Sequence, residues 1–237
     1  MLRILKTQLA PLGEKEFFST IENKAVLQII DSCILFSMIW SICASVNTDN
    51  RKEFDTYFKK LIRGDIEGIN RVKKLDFPDR YPIYEVAFFP KERAWKNWMD
   101  LVDKNETINN NLEPQEIIVT TIDTIRYSYF MELFIHNEIP SLFVGPTGTG
   151  KSVYILNVLL NKLGRDKFIT IEIGFSAQTT CNQAQEIIDG KLDKRRKDHF
   201  GPKIGMKCVV FVDDLNMPVK EKYGAQPPIE ILRQLVG

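Results

Sequence analysis

The sequence predicts an α/β fold, a parallel sheet flanked by helices, preceded by a helical subdomain. Three observations carry this. Residues 145–152 read Gly-Pro-Thr-Gly-Thr-Gly-Lys-Ser, a full match to the phosphate-loop pattern G-x-x-x-x-G-K-[ST], set between an apolar run and a helix-compatible run. Cys208-Val-Val-Phe-Val212, short and β-branched as a buried parallel strand should be, ends on Asp213 and Asp214. Residues 1 to about 75 look all-helical, with apolar residues at helical spacing.

The helical start contains one apolar stretch, Ala25 to Val46. Its uncharged core runs from Ser32 to Thr48 and carries four serines and an asparagine. A spanning helix wants about 20 mostly apolar residues, so this reads as a helix buried in a helical subdomain. It lies too far from Met1, and its start is too weakly basic, for a secretory signal. Asp49 to Lys74 is charged and helix-permissive, with Phe54, Tyr57, Phe58, Leu61 and Ile62 marking an amphipathic face. Residues 76–115 form an irregular linker with Pro78, Pro82, Pro90 and Pro114. Phe77 to Pro90 shows partial strand alternation. Trp95 and Trp98, three apart, are expected to pack one helix face, and Asn105 to Asn111 to form a polar loop.

Residues 116–237 form the third part. Ile117 to Ile122 reads as a short strand, and Asp123 begins a helix running to about His136. Ile139 to Val144 is the strand entering the glycine-rich turn, and Ser152 to Lys162 the helix leaving it. Phe168 to Ile173 alternates as a strand, and Ser176 to Thr180 offer N-caps for a helix over Cys181 to Ile188. A basic stretch with Lys191, Lys194, Arg195, Arg196, Lys197, Lys203 and Lys207 follows, read as a solvated loop. This order of strands and helices implies a parallel sheet with helices on both faces.

The candidate chemistry follows from residue types. Gly145, Gly148 and Gly150 let the backbone take positive φ and approach a ligand. With Pro146, Thr147 and Thr149 they form a loop whose N–H groups can face phosphate oxygens at a helix start. Lys151 would reach the β- and γ-phosphates, and the Ser152 hydroxyl would bind Mg²⁺. Asp213, at the C-terminal edge of a parallel strand, is the natural holder of the same ion, and Asp214 stands where a base orienting the attacking water is expected.

Composition is ordinary for a soluble intracellular globular protein of 237 residues. A net charge of +1 gives no global field to recruit nucleic acid or membrane. Cys33, Cys43, Cys181 and Cys208 contain no C-x-x-C pair and read as buried free thiols. His136 and His199 lie far apart and read as surface or packing residues.

Several motifs in order resemble dynein heavy chain. They are Gly145 to Ser152, Phe175-Ser-Ala-Gln-Thr-Thr180, Lys191-Leu-Asp-Lys-Arg-Arg-Lys197, Val209-Val-Phe-Val-Asp-Asp-Leu-Asn-Met-Pro218 and Tyr223-Gly-Ala-Gln-Pro-Pro-Ile-Glu230. From Ile117 to Leu235 the chain resembles the third AAA+ module of the dynein motor ring, in the axonemal branch. Leu35-Phe-Ser-Met-Ile-Trp40 and Asp49 to Leu61 resemble the lid of the preceding module.

The resemblance implies a P-loop NTPase (AAA+) sheet and ATP with Mg²⁺ as ligands. It implies a part in ATP-driven, minus-end-directed movement along microtubules in cilia and flagella. Location would be cytoplasm and cytoskeleton, at the axoneme of a cilium or flagellum. Partners would be neighbouring AAA+ modules, with the microtubule and the dynein intermediate and light chains reached only through the full-length motor. Many AAA+ proteins carry Asp-Glu where Asp213-Asp214 stands. Asp214 is one methylene shorter, which spares binding and argues against hydrolysis by this chain alone.

Only 23 residues follow Asp214, too few for the remaining strands, the γ-phosphate sensor and the lid of such a module. The sequence therefore reads as a short product or fragment, incomplete at its C-terminal end and not a motor by itself. Two other readings remain. One is a non-enzymatic axonemal interaction protein with a relic phosphate loop. The other is a nucleic-acid-stimulated P-loop ATPase, against which the near-zero net charge counts.

Overall fold

The computed structural model describes residues 1–13, 21–68, 77–102, 119–197 and 199–236. It divides into two units, Met1–Tyr127 and Ser128–Gly237.

The first unit is built on three helices, α1 (Leu2–Leu9), α2 (Asn23–Ile39) and α3 (Arg51–Arg63), and a hairpin of β1 (Val86–Phe89) and β2 (Ala94–Asn97). The span Asn23–Ser45 is long and apolar enough to cross a membrane by length and composition. Its buried side chains, Ile29, Cys33, Leu35, Phe36 and Ile39, lie inside this unit. Leu35 and Ile39 share a core cluster with Phe58, Ile83 and Tyr84. Helix α3 stacks Phe54 on Phe58 at 5.7 Å and ends at Gly64, whose φ of 76° only glycine adopts readily. Of the five residues expected on its apolar face, Tyr57 turns to solvent at 53 % exposure. Asp55 on α3 accepts the Lys59 ammonium at 3.0 Å and the Ile83 amide at 2.7 Å, and Lys59 also donates to the Tyr81 carbonyl at 2.8 Å, tying residues 81–83 to the helix.

The two tryptophans do not lie on a helix. Trp95 is in β2 and Trp98 opens a 3₁₀ turn, Trp98–Leu101. The Asn97 side chain accepts the Met99 amide at 2.9 Å and so breaks the strand between them. Both rings still enter one aromatic cluster. Trp95 meets Phe77 at 4.9 Å and Phe88 at 5.3 Å, and Trp98 meets Trp40 at 5.6 Å. The expected loop Asn105 to Asn111, and residues 69–74 of the amphipathic stretch, lie outside the described residues.

The division between units falls inside α4 (Ile122–His136). The strand expected over Ile117 to Ile122 is not seen in its described part, because Ile122 is already helical. Thr121 and Thr124 exchange side-chain and amide hydrogen bonds of 2.8 and 3.2 Å there, a local cap that favours helix entry. The second unit continues with α5 (Lys151–Asn157), which runs into a π-helical segment, Val158–Lys162. Then come β3 (Phe168–Gly174), α6 (Cys181–Asp189), a hairpin of β4 (Asp193–Arg196) and β5 (His199–Gly201), β6 (Lys207–Asp213) and α7 (Pro227–Val236). The basic stretch is thus a hairpin as well as a solvated segment. Thr180 and Gln183 form the capping box of α6.

Strands β3 and β6 pair in parallel, from Phe168 opposite Lys207 to Gly174 opposite Asp213. Alternation sorts their side chains into two layers. Phe168, Val209 and Phe211 pack with Met131 of α4 and with Ile155, Val158 and Leu159. Ile171, Ile173, Cys208 and Val212 pack on the other face with Ala184 and Ile188 of α6 and Ile229 and Leu232 of α7. The sheet is therefore parallel and covered on both faces.

One expected strand carries no ladder. Ile139 to Val144 has the composition of a strand but no strand pairing, and Leu142 and Val144 are 71 % and 84 % exposed. Among the described residues β3 and β6 are the only parallel pair, so no neighbouring strand satisfies this segment's backbone groups.

Two outcomes follow. Phe36→Ala removes a fully buried ring and should lower stability in urea unfolding by about 3–5 kcal/mol. Burial pushes the Cys33 thiol up to about 12, so the native state holds it neutral where an unfolded chain ionises it. The resulting stabilisation is complete below the ordinary thiol range and is lost as pH rises from there towards 12. Denaturation midpoints followed across that window should fall less steeply in Cys33→Ala.

Candidate functional site

Helix α4 ends in a turn that sets the direction of the segment entering the glycine-rich loop. Glu138 adopts φ 57°, and the Ile139 amide donates to the Phe134 carbonyl at 2.9 Å. The Glu138 carboxylate pairs with Lys207 at 2.7 Å, at the first residue of β6. The Lys207 ammonium, hydrogen-bonded to Glu138, holds its carboxyl below the usual carboxylate range. Neither residue is signalled by the phosphate-loop pattern.

The loop itself is closed by its own lysine. Lys151 Nζ donates to the carbonyls of Gly145 at 3.0 Å and Pro146 at 2.6 Å, and approaches Thr149 Oγ1 at 3.4 Å. The Thr149 hydroxyl donates to the same Pro146 carbonyl at 2.9 Å. The lysine stem crosses Gly145 so closely that a Cβ there would lie 3.7 Å from Lys151 Cδ. Gly148 and Gly150 both take φ 76°, and Gly150 is the N-cap of α5. The Tyr154 ring lies 3.2 Å from where a Gly150 Cβ would be. That contact is readable from the sequence as an i, i+4 pair, although the motif does not include it.

The Thr147, Gly148 and Gly150 amides donate to no protein acceptor among the described residues. Residues 145–149 are exposed. A curved loop of free N–H groups with an ammonium pinned across it suits a polyanion such as a phosphate chain.

The acidic pair ends β6. Asp213 shares its strand face with Val209 and Phe211, the face that packs with α5. Its Oδ1 accepts the Asp214 amide at 3.0 Å, and its carbonyl accepts the Phe175 amide at 3.0 Å. Asp214 takes φ 52° and is exposed, and its carbonyl accepts the Met217 amide at 2.9 Å. Gly145, Pro146, Thr147, Gly148, Thr149, Gly150, Lys151 and Ser152 thus share one loop and helix start, and Asp213 and Asp214 share one strand end. Among the described residues no hydrogen bond or ion pair joins the two groups. No cluster of three or more His, Cys, Asp and Glu fit for a metal ion occurs among them either. A magnesium site keeps most of its waters and does not require such a cluster.

Comparison with known families decides where this loop belongs. The model of the P-loop containing dynein motor region matches residues 106–237, and that of the dynein heavy chain AAA lid domain matches residues 1–100. The chain belongs to the dynein heavy chain family. It is 46 % identical over 209 residues to dynein axonemal heavy chain 12 of Homo sapiens, covering 86 % of this chain and 7 % of that protein. It is 42 % identical over 231 residues to dynein axonemal heavy chain 3 of Homo sapiens, covering 94 % and 6 %. It is 38 % identical over 205 residues to dynein axonemal heavy chain 2 of Mus musculus, covering 86 % and 4 %. The chain spans about 7 % or less of the length of these relatives. In dynein terms, residues of an AAA lid precede a P-loop AAA module, and such a module implies nucleotide binding.

The loop's backbone makes a prediction of its own. Gly150→Ala should cost about 1–2 kcal/mol from its left-handed φ and more from the Tyr154 clash. Gly148→Ala, with open space around it, should cost the backbone part alone. Adding Tyr154→Ala should recover only the difference between the two, as read by thermal unfolding.

Proposed function

We propose that this chain binds Mg²⁺–ATP as the third AAA+ module of an axonemal dynein heavy chain, preceded by the lid of its neighbour. In this reading residues 1–75 are lid helices, 76–115 a connector and 116–237 the nucleotide module. The observation carrying it is the phosphate loop, with Lys151 held on the Gly145 and Pro146 carbonyls while neighbouring amides stay free. Gly145 to Gly150 would wrap the phosphate chain, and Lys151 would turn part of its ammonium towards the β- and γ-phosphates. Ser152 and Asp213 would hold the Mg²⁺, which when bound neutralises charge on the phosphates. Asp214 would orient the attacking water. Its short side chain and its place in a tight turn favour binding over hydrolysis in this module. Within the larger protein, neighbouring AAA+ modules would complete the ring. The microtubule and the intermediate and light chains would be engaged elsewhere, in the axoneme of a cilium or flagellum.

Lys151→Ala should abolish retention of labelled ATP by the full chain, and chelation of Mg²⁺ should weaken binding in the parent. Equal retention by parent and variant would reject the reading. Asp214→Asn should leave retention nearly unchanged, since the proposed role of that carboxylate lies with water and not with the nucleotide.

A further inference from the structure

Residues 191–203 hold six of the chain's lysines and arginines against two aspartates, in a protein whose total charge is +1. The remainder of the chain is therefore net negative, and the positive excess is gathered on and beside the β4–β5 hairpin. Every residue of β4 is exposed. Arg195 is committed to the hairpin itself. Its Nη2 donates to the Pro202 carbonyl at 2.7 Å, and its guanidinium lies 3.3 Å from a Cβ position at Gly201. Lys191, Lys194, Arg196, Lys197 and Lys203 have no ion pair among the described residues. Like charges this close repel within one Debye length, about 8 Å at physiological salt, so the cluster is a local cost to the isolated fold.

We propose that this hairpin docks an acidic, carboxylate-rich polypeptide segment. Carboxylates alternating along an extended peptide recur on one side at roughly 6–7 Å, a spacing that lysines and arginines on a neighbouring strand can meet. Among the described residues the hairpin is a two-stranded sheet, so each strand keeps one edge unpaired there, to which an extended segment can add backbone hydrogen bonds. The register shifts between Lys194 and Arg196, an irregularity that interrupts the ladder at the most basic point of the hairpin. Nucleic acid fits less well. His199 and Phe200 are the ring side chains of β5, and the Lys194 ammonium already lies over the Phe200 ring at 5.8 Å, so the larger ring is not a free stacking platform.

The test uses the full chain and a fluorescein-labelled peptide of about twelve alternating glutamate and threonine residues, read by anisotropy. Saturable binding is expected, weakening severalfold between about 50 and about 200 mM salt. It should fall about tenfold in Arg196→Glu/Lys197→Glu and a few-fold in Lys194→Gln. A glutamine-threonine peptide should not bind. Circular dichroism and thermal midpoints confirm that each variant is folded. If the double reversal unfolds, Arg196→Gln/Lys197→Gln replaces it and should also weaken binding. Failure of the acidic peptide to bind, binding indifferent to these substitutions, or tighter charge-dependent binding of an oligouridine strand of similar length would each overturn the proposal.

Discussion

The second unit depends on one register, the parallel pairing of β3 with β6. Side chains alternate along a strand, so a shift of one residue would move every apolar side chain to the opposite layer. In the observed register Ile171 and Ile173 meet α6 and α7, while Val209 and Phe211 meet α5. The same parity places Asp213 in the layer of the glycine-rich loop's helix. Hydrogen bonds beyond both ends hold the alignment, from the Lys207 amide to the Lys167 carbonyl and from the Phe175 amide to the Asp213 carbonyl. A packing decision made by apolar residues thus fixes which layer an acidic side chain joins.

What the sequence made legible was local. The octapeptide from Gly145 to Ser152, the alternation of Phe168 to Ile173 and the cap at Thr180 each depend on neighbours within a few residues, and each is found in place. The misses have physical reasons. The charge-rich β4–β5 hairpin hides its strands, because alternation is invisible where both faces meet water. Trp95 and Trp98 have helical spacing by coincidence, since a strand and a 3₁₀ turn joined at Asn97 bring them into one cluster. Ile139 to Val144 has strand composition, but composition says nothing about whether a partner strand lies alongside.

That last segment separates two properties that usually travel together. Its entry is well defined by the α4 terminus and by the Glu138–Lys207 pair. Its flanks are open, with Leu142 and Val144 facing outward. The start of the glycine-rich loop is therefore anchored at its base by electrostatics and helix geometry instead of by a ladder. An exposed ion pair is a weak anchor, usually contributing under about 1 kcal/mol.

The lysine lock has a kinetic side. Lys151 reaches a carbonyl only six residues back, whereas the first rung of the β3–β6 ladder joins residues 39 positions apart. Closing the shorter span forfeits about 1.7 kcal/mol less chain entropy. The loop is thus among the earliest contours this chain can draw as it collapses, and, held by exposed hydrogen bonds, among the easiest to open again.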